Sequence, residues 1–182
     1  MSSEQGSGIR IERLGRILFH WRGLVGFIGF LIVFWWSRPT VGSCLLSVPI
    51  VLVGLGLRFW AMGYIGKAAR GNEIGAEKLV QGGPYRLFKL RRSSATGHPL
   101  YAGNFLLVIG TLFALRPPFV LGVVILGLFL VEYSLIAWAE ERFLAGSFAE
   151  PTRDGFSFRN AATEWQTLVV MVLIYAFGFL KA

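Results

Sequence analysis

The sequence predicts an all-α fold, specifically an integral-membrane helical bundle of four to five spans with a pocket at its cytosolic side. Hydrophobic residues make up 54% of the 182 positions, and the mean hydropathy is +0.60. These residues occur in long blocks, and a helix needs about 20 apolar residues to cross a bilayer. A water-soluble single domain is therefore not the expected fold class.

The formal net charge of +8 is best explained by basic loops that face anionic lipid. A protein this apolar is not expected to bind nucleic acid. Its single cysteine, Cys44, lies in an apolar run, so an intrachain disulfide is ruled out. One cysteine and two histidines are too few for a zinc site, and no metal is expected.

The N-terminal part of the chain, residues 1–22, is predicted to be a disordered tail followed by a basic helix in the membrane interface. Residues 1–8 are polar, and Ile9–Arg22 places arginines between apolar residues near helical spacing. A basic extension of the first span fits this pattern equally well. Gly23, Gly26 and Gly29 in the first span are expected to allow close helix contact.

Residues 23–164 are predicted to form the membrane core, and residues 165–182 a C-terminal apolar helix. The second span covers Val41–Met62, where Gly54 and Gly56 are interpreted as packing glycines. Trp165–Leu180 is either a fifth span or a helix docked on the bundle.

Two apolar runs in the second half predict an antiparallel helical hairpin. Leu100–Leu115 is followed by Arg116-Pro117-Pro118 and then by Phe119–Ala139. Two consecutive prolines cannot continue a helix. The second helix is long enough to return to the level at which the first began, so Glu140 and Glu141 are expected on the same membrane face as His98.

Basic residues predict which face this is. The polar segment between Gly63 and Gly97 is rich in lysine and arginine, whereas the two short connections at the opposite face carry one arginine each. The positive-inside bias therefore places the N-terminus and the loops around His98 in the cytoplasm.

The His98-Pro99-Leu100-Tyr101 turn is a candidate site. A histidine at a helix start is more often an interfacial or capping residue than a catalyst. Here it precedes a helix N-terminus, whose free N–H groups favour an anionic ligand group such as a carboxylate. One of Glu140 and Glu141 is expected to face the same pocket and to suit an amine or a ribose diol.

Glu132 is a carboxylate two turns deeper in an apolar helix. Burying it unpaired is costly, so it should face the interior of the bundle. Arg58 or Asn104 could be its partner, and it belongs either to a structural ion pair or to a substrate cavity.

These motifs together resemble the superfamily of isoprenylcysteine carboxyl methyltransferases and phospholipid methyltransferases. The resemblance is carried by Gly83-Pro84-Tyr85, by His98-Pro99-Leu100-Tyr101-Ala102-Gly103 and by Glu140-Glu141 with Leu144 and Phe148. It covers roughly residues 50–150. In that family these motifs flank a helical hairpin in the same order. The chain has Gly97 and Ala149 where the family has arginine and glycine.

The resemblance implies an integral-membrane enzyme that binds S-adenosyl-L-methionine at its cytosolic mouth and takes a lipidic or prenylated acceptor from the bilayer. No catalytic residue is assigned. The cofactor contacts that it implies are Glu77, Lys78, Leu79, Val80, Tyr85, His98, Pro99, Leu100, Tyr101, Glu140 and Glu141. The expected substrate cavity contains Arg58, Asn104 and Glu132.

Two alternatives stay open. The first is a membrane sterol or steroid reductase, which shares a His-Pro turn before a helix and would bind NADPH through arginines near that turn. The second is a non-catalytic lipid-binding protein with a degenerate methyltransferase fold, favoured by the departures at Gly97 and Ala149.

Overall fold

The computed structural model describes residues 2–65, 79–80, 84, 98–145, 151–152 and 155–182, with only the backbone for 2–13, 16, 79–80, 140–145 and 151–152. The helices are α1 (Ser2–Trp36), α2 (Val41–Ile65), α3 (Pro99–Leu115), α4 (Phe119–Ala145), α5 (Phe158–Ala161) and α6 (Trp165–Lys181). A 3₁₀ turn, Ala162–Glu164, joins α5 to α6. Two-residue strands, β1 (Leu79–Val80) and β2 (Pro151–Thr152), pair in parallel. The all-α prediction is confirmed.

Four stretches in the described part of the chain are long and apolar enough to cross a membrane. They are Ile17–Trp36, Val41–Ile65, Phe119–Ala139 and Phe158–Lys181. Helix α3 has 17 residues and is about 25 Å long. It packs mainly against α2 within the bundle.

The N-terminal prediction is wrong in one respect. Residues 1–8 were expected to be disordered, but α1 begins at Ser2 and continues to Trp36. No proline interrupts this stretch, so helical hydrogen bonding can extend from the span into the polar tail. The basic segment is an extension of the first span, which is the second of the two interpretations given above.

The chain reverses at Arg116–Pro118, as the two prolines predicted. Arg116 adopts the left-handed conformation with φ 45°, and its N–H donates to the carbonyl of Leu112 at 3.0 Å. The preceding carbonyl, that of Leu115, accepts from the Arg38 N–H at 3.0 Å. The two short connections thus meet at one end of the bundle, called here the Arg116 end; the opposite end is called the His98 end.

The two helices of the hairpin pack mainly on other helices and only weakly against each other. Helix α3 packs mainly on α2, and α4 packs mainly on α1. The reason lies in the glycines. A Cβ added at Gly110 of α3 would lie 2.5 Å from Val51 Cγ2 of α2, and one at Gly15 of α1 would lie 2.5 Å from Ala139 Cβ of α4. Small residues let these helix pairs approach closely.

The glycines singled out in the first span behave differently. A Cβ added at Gly23, Gly26 or Gly29 would meet no atom within 4 Å, so the expectation of close helix contact there is wrong. The same holds for Gly56, whereas Gly54 packs as expected, with the Gly103 carbonyl oxygen 3.1 Å from an added Cβ. Glycine spacing alone does not tell which helix face meets a neighbour.

Helix α6 runs the full length of the bundle. Glu164, just before it, contacts Arg58 near the His98 end. At the other end, Lys181 Nζ donates to the Phe34 carbonyl at 2.5 Å and to Ser37 Oγ at 3.0 Å. The C-terminal helix therefore extends between the two ends, rather than lying across one of them.

We expect Gly110→Leu to destabilise the protein by about 1–3 kcal/mol, because the new side chain overlaps the stiff Val51 side chain. The measurement is thermal or denaturant unfolding in detergent. Gly56→Leu is the matched control, since it adds the same side chain in α2 where nothing lies within 4 Å. Equal stability of the two variants would contradict close α2–α3 packing at Gly110.

Candidate functional site

A group of polar side chains crosses the bundle near its His98 end. Arg58 on α2 forms two parallel contacts with Glu164, from Nε to Oε2 at 3.0 Å and from Nη2 to Oε1 at 3.2 Å. The exposed fractions of these side chains are 15% for Arg58 and 7% for Glu164. A forked, two-bond pair of this kind is the geometry in which arginine binds a carboxylate most strongly.

The same guanidinium ties in two more helices. It donates to Asn104 Oδ1 of α3 and, at 3.3 Å, to Thr167 Oγ1 of α6. Asn104 Nδ2 in turn donates to the Tyr133 hydroxyl of α4 at 2.9 Å. We call Arg58, Asn104, Tyr133, Glu164 and Thr167 the polar layer. It joins four helices of the bundle through hydrogen bonds.

Aromatic rings connect the polar layer with the His98 turn. The His98 ring stacks on the Tyr101 ring, with centroids 5.1 Å apart and planes 9° apart. Tyr101 contacts Tyr133 edge to face at 5.1 Å. Tyr133 of α4 therefore lies beside the first turns of α3. The backbone of Glu140 and Glu141 lies about 10 Å beyond Tyr133 along the α4 axis. This places the end of α4 near the level of the turn.

The backbone of the His98 turn differs from the expectation in one detail. His98 is the residue before α3, but its side chain does not cap the helix. Its carbonyl accepts hydrogen bonds from the N–H groups of Tyr101, at 3.1 Å, and Ala102, at 3.2 Å. Pro99 has no N–H. Among the described residues of the first turn, Leu100 therefore has the N–H group that makes no hydrogen bond within the helix. The turn offers an anionic ligand fewer backbone donors than predicted.

The other residues implied by the resemblance are described unevenly. Leu79 and Val80 form β1 and pair with Pro151 and Thr152, so this segment lies beside the chain that follows α4. Pro84 is fully buried. Glu77, Lys78 and Tyr85 lie outside the described residues, and of Glu140 and Glu141 only the helical backbone is described.

A cavity of about 480 Å³ lies between the α1–α4 pair on one side and α3 with α6 on the other. Its walls are mainly apolar side chains of these four helices, among them Val33, Leu107, Leu112, Ile125, Phe129 and Ile174. Asn104 and Glu132, two of the three residues predicted for a substrate cavity, line it. Arg58 does not line it and lies behind Asn104 and Thr167, because its guanidinium is held by Glu164.

The partner suggested for Glu132 is wrong. Arg58 binds Glu164 and Asn104, and Asn104 also binds Tyr133. Glu132 Oε1 is buried and has no hydrogen-bond partner among the described residues. Arg22 of α1 also lines the cavity and interacts electrostatically with Glu132. Glu132 is therefore a cavity residue and not one half of a hydrogen-bonded structural pair.

Sequence reasoning missed Glu164, Tyr133 and Thr167. Glu164 could have been singled out from the sequence, because an acidic residue next to the apolar run from Trp165 needs a partner when that helix is buried. Tyr133 and Thr167 carried no such signal, since a tyrosine or threonine in an apolar helix is common. Only the rotation of each helix shows that they face the bundle.

Comparison with models of protein families, with curated proteins and with solved structures finds no match for this chain.

We expect Arg58→Met to destabilise the protein by about 3–5 kcal/mol, because it leaves the Glu164 carboxylate buried without its partner. Adding Glu164→Leu should restore part of this loss, since the double variant buries no unpaired charge. Unfolding of the single and double variants in detergent measures the coupling. Strictly additive effects would show that the pair does not act as a unit.

Proposed function

We propose that this protein is an integral-membrane methyltransferase that moves a methyl group from S-adenosyl-L-methionine to a lipidic or prenylated acceptor. The observation that carries the proposal is the return of α4 to the His98 turn. Tyr133 of α4 contacts Tyr101 and Asn104 of α3, and this supports a site to which motifs from both helices contribute. His98 and Glu140 are 42 positions apart in the sequence, and the return of α4 is what brings them to the same end of the bundle.

The proposed topology is multi-pass, with the His98 end in the cytoplasm. Four stretches are long and apolar enough to span the bilayer. The segment between Gly63 and Gly97, which begins and ends at the His98 end, contains most of the basic loop residues. The positive-inside bias supports this orientation.

The residues around the turn suit a sulfonium cofactor in part. The stacked His98 and Tyr101 rings offer aromatic surface of the kind that attracts a cationic centre. The Leu100 N–H at the start of α3 favours an anionic group such as the cofactor's carboxylate. In the proposed site, a glutamate from Glu140-Glu141 takes the ammonium or the ribose, and the Glu77–Val80 segment and Tyr85 complete the contacts.

When bound, S-adenosyl-L-methionine supplies an activated methyl group. The protein's part in such a displacement is to hold donor and acceptor in line and to exclude water. A carboxylate acceptor needs no general base, because it is already the nucleophile. The apolar walls of the cavity would shield an acceptor that enters from the bilayer.

A second candidate is a lipid-binding membrane protein without catalysis. The cavity favours it, because an apolar space of about 480 Å³ is large enough for a ligand whether or not a cofactor binds. This candidate predicts ligand binding in the cavity and no affinity for S-adenosyl-L-methionine.

We expect the purified protein to bind S-adenosyl-L-methionine in isothermal titration calorimetry. His98→Ala and the double variant Glu140→Ala/Glu141→Ala should each weaken binding about tenfold or more, because each removes a polar contact to a charged ligand. Lys181→Met is the control, as Lys181 lies at the Arg116 end. Stability of each variant is checked by unfolding.

Three results would contradict the proposal or change it. Unchanged affinity in all the site variants would place the cofactor elsewhere. Binding of NADPH in place of S-adenosyl-L-methionine would favour a reductase. Binding of neither would leave the lipid-binding protein as the better candidate.

A further inference from the structure

The polar groups at the His98 end of the cavity are hydrogen-bonded to one another. Asn104 accepts from Arg58 and donates to Tyr133 at 2.9 Å. Thr167 accepts from Arg58 at 3.3 Å. The Arg58 charge is matched by Glu164 at 3.0 Å. Three of these groups, Asn104, Tyr133 and Thr167, also line the cavity and close its end.

Glu132 is different. Its Oε1 atom is buried and accepts no hydrogen bond from any described residue, although the residue lines the cavity. Arg22 also lines the cavity and interacts electrostatically with Glu132, but it gives Oε1 no hydrogen bond. Its Nη1 donates to the carbonyl of Phe19 at 3.2 Å, and its guanidinium lies 3.7 Å above the Phe19 ring. A carboxylate in an apolar space is costly unless a hydrogen-bond donor or a cation meets it.

The rest of the cavity has the shape and character of a slot for one apolar chain. From Asn104 to Leu112 the α3 wall is about 12 Å long, and the α4 wall opposite runs from Glu132 back to Ile125. Gly26 and Gly29 form part of the α1 wall, and no atom lies within 4 Å of a Cβ added at either one. These glycines keep the slot open.

From this we infer that the cavity binds an amphiphile with one alkyl chain and a protonated amine head, and that Glu132 selects the head. The chain occupies the space beside Gly26 and Gly29, and the ammonium donates to Glu132 Oε1. A carboxylate head is disfavoured at the same position by like charge. Glu132 thus acts as a specificity-determining residue. Binding itself does not depend on methyl transfer; only the further step, that this amphiphile is the methyl acceptor, rests on the proposed function.

The test is native mass spectrometry of the full-length protein in detergent, with dodecylamine, dodecanol or dodecanoate added and without S-adenosyl-L-methionine. We expect the protein to retain dodecylamine about tenfold more than dodecanoate, because a charge-assisted hydrogen bond is replaced by repulsion. We also expect the parent protein to retain dodecylamine more than dodecanol. Glu132→Gln should abolish this preference, since the amide removes the negative charge and keeps the shape of the side chain.

A pair of glycine variants locates the ligand. Gly29→Leu should lower retention of dodecylamine about tenfold, because the new side chain extends into the slot from a position where an added Cβ meets no atom within 4 Å. Gly23→Leu is the matched control: it lies on the same helix, has no atom within 4 Å of its added Cβ and does not line the cavity. Both variants should unfold at similar temperatures.

Several outcomes would overturn the inference. One is preferential retention of dodecanoate, which would show that Arg22, and not Glu132, selects the head group of the amphiphile. Another is equal retention of all three amphiphiles by the parent protein, and a third is equal loss in Gly29→Leu and Gly23→Leu. Failure of the methyltransferase proposal is seen separately, as absence of S-adenosyl-L-methionine binding while dodecylamine is still retained.

Discussion

The guanidinium of Arg58 is the group on which the arrangement of the helices depends. It binds Glu164 through two nitrogen atoms and also contacts Asn104 and Thr167. A charge inside an apolar bundle is tolerated only when it is paired and hydrogen-bonded. This requirement fixes the rotation of α2, α3 and α6 about their axes. Through Asn104 and Tyr133 it also fixes how far α4 extends past α3.

The cavity follows from how the helices pair. Glycines bring α2 close to α3 and α1 close to α4, and these two pairs leave a space between them that α6 borders on one side. In a bilayer, the apolar walls of such a space have little reason to collapse, because lipid chains are as apolar as the side chains. Its polar end, at Asn104 and Glu132, lies below the His98 turn. A ligand entering from the bilayer would thus have its head near the proposed cofactor site.

The composition of the sequence and its resemblance to a methyltransferase superfamily led to different parts of the prediction. Composition and the proline pair were enough for the helical bundle and for the reversal at Arg116–Pro118. The resemblance supplied S-adenosyl-L-methionine and its contacts, which stay predictions. What the described structure adds is that the two hairpin helices meet at Tyr101 and Tyr133 and that Leu79–Val80 pairs with Pro151–Thr152.

The sequence by itself determined where the helices lie, because long apolar runs and prolines act locally on the backbone. It also showed that Glu132 must face the interior, since a carboxylate cannot face lipid at low cost. Only the tertiary structure decided that Arg58 pairs with Glu164, that Gly110 packs and Gly29 does not, and that Glu132 lines a cavity. These facts depend on how each helix is rotated and on which helix lies beside it. The rotation of a helix and the choice of its neighbour are set by contacts between distant residues, such as Arg58 and Glu164, which are 106 positions apart. Local sequence patterns do not encode such contacts.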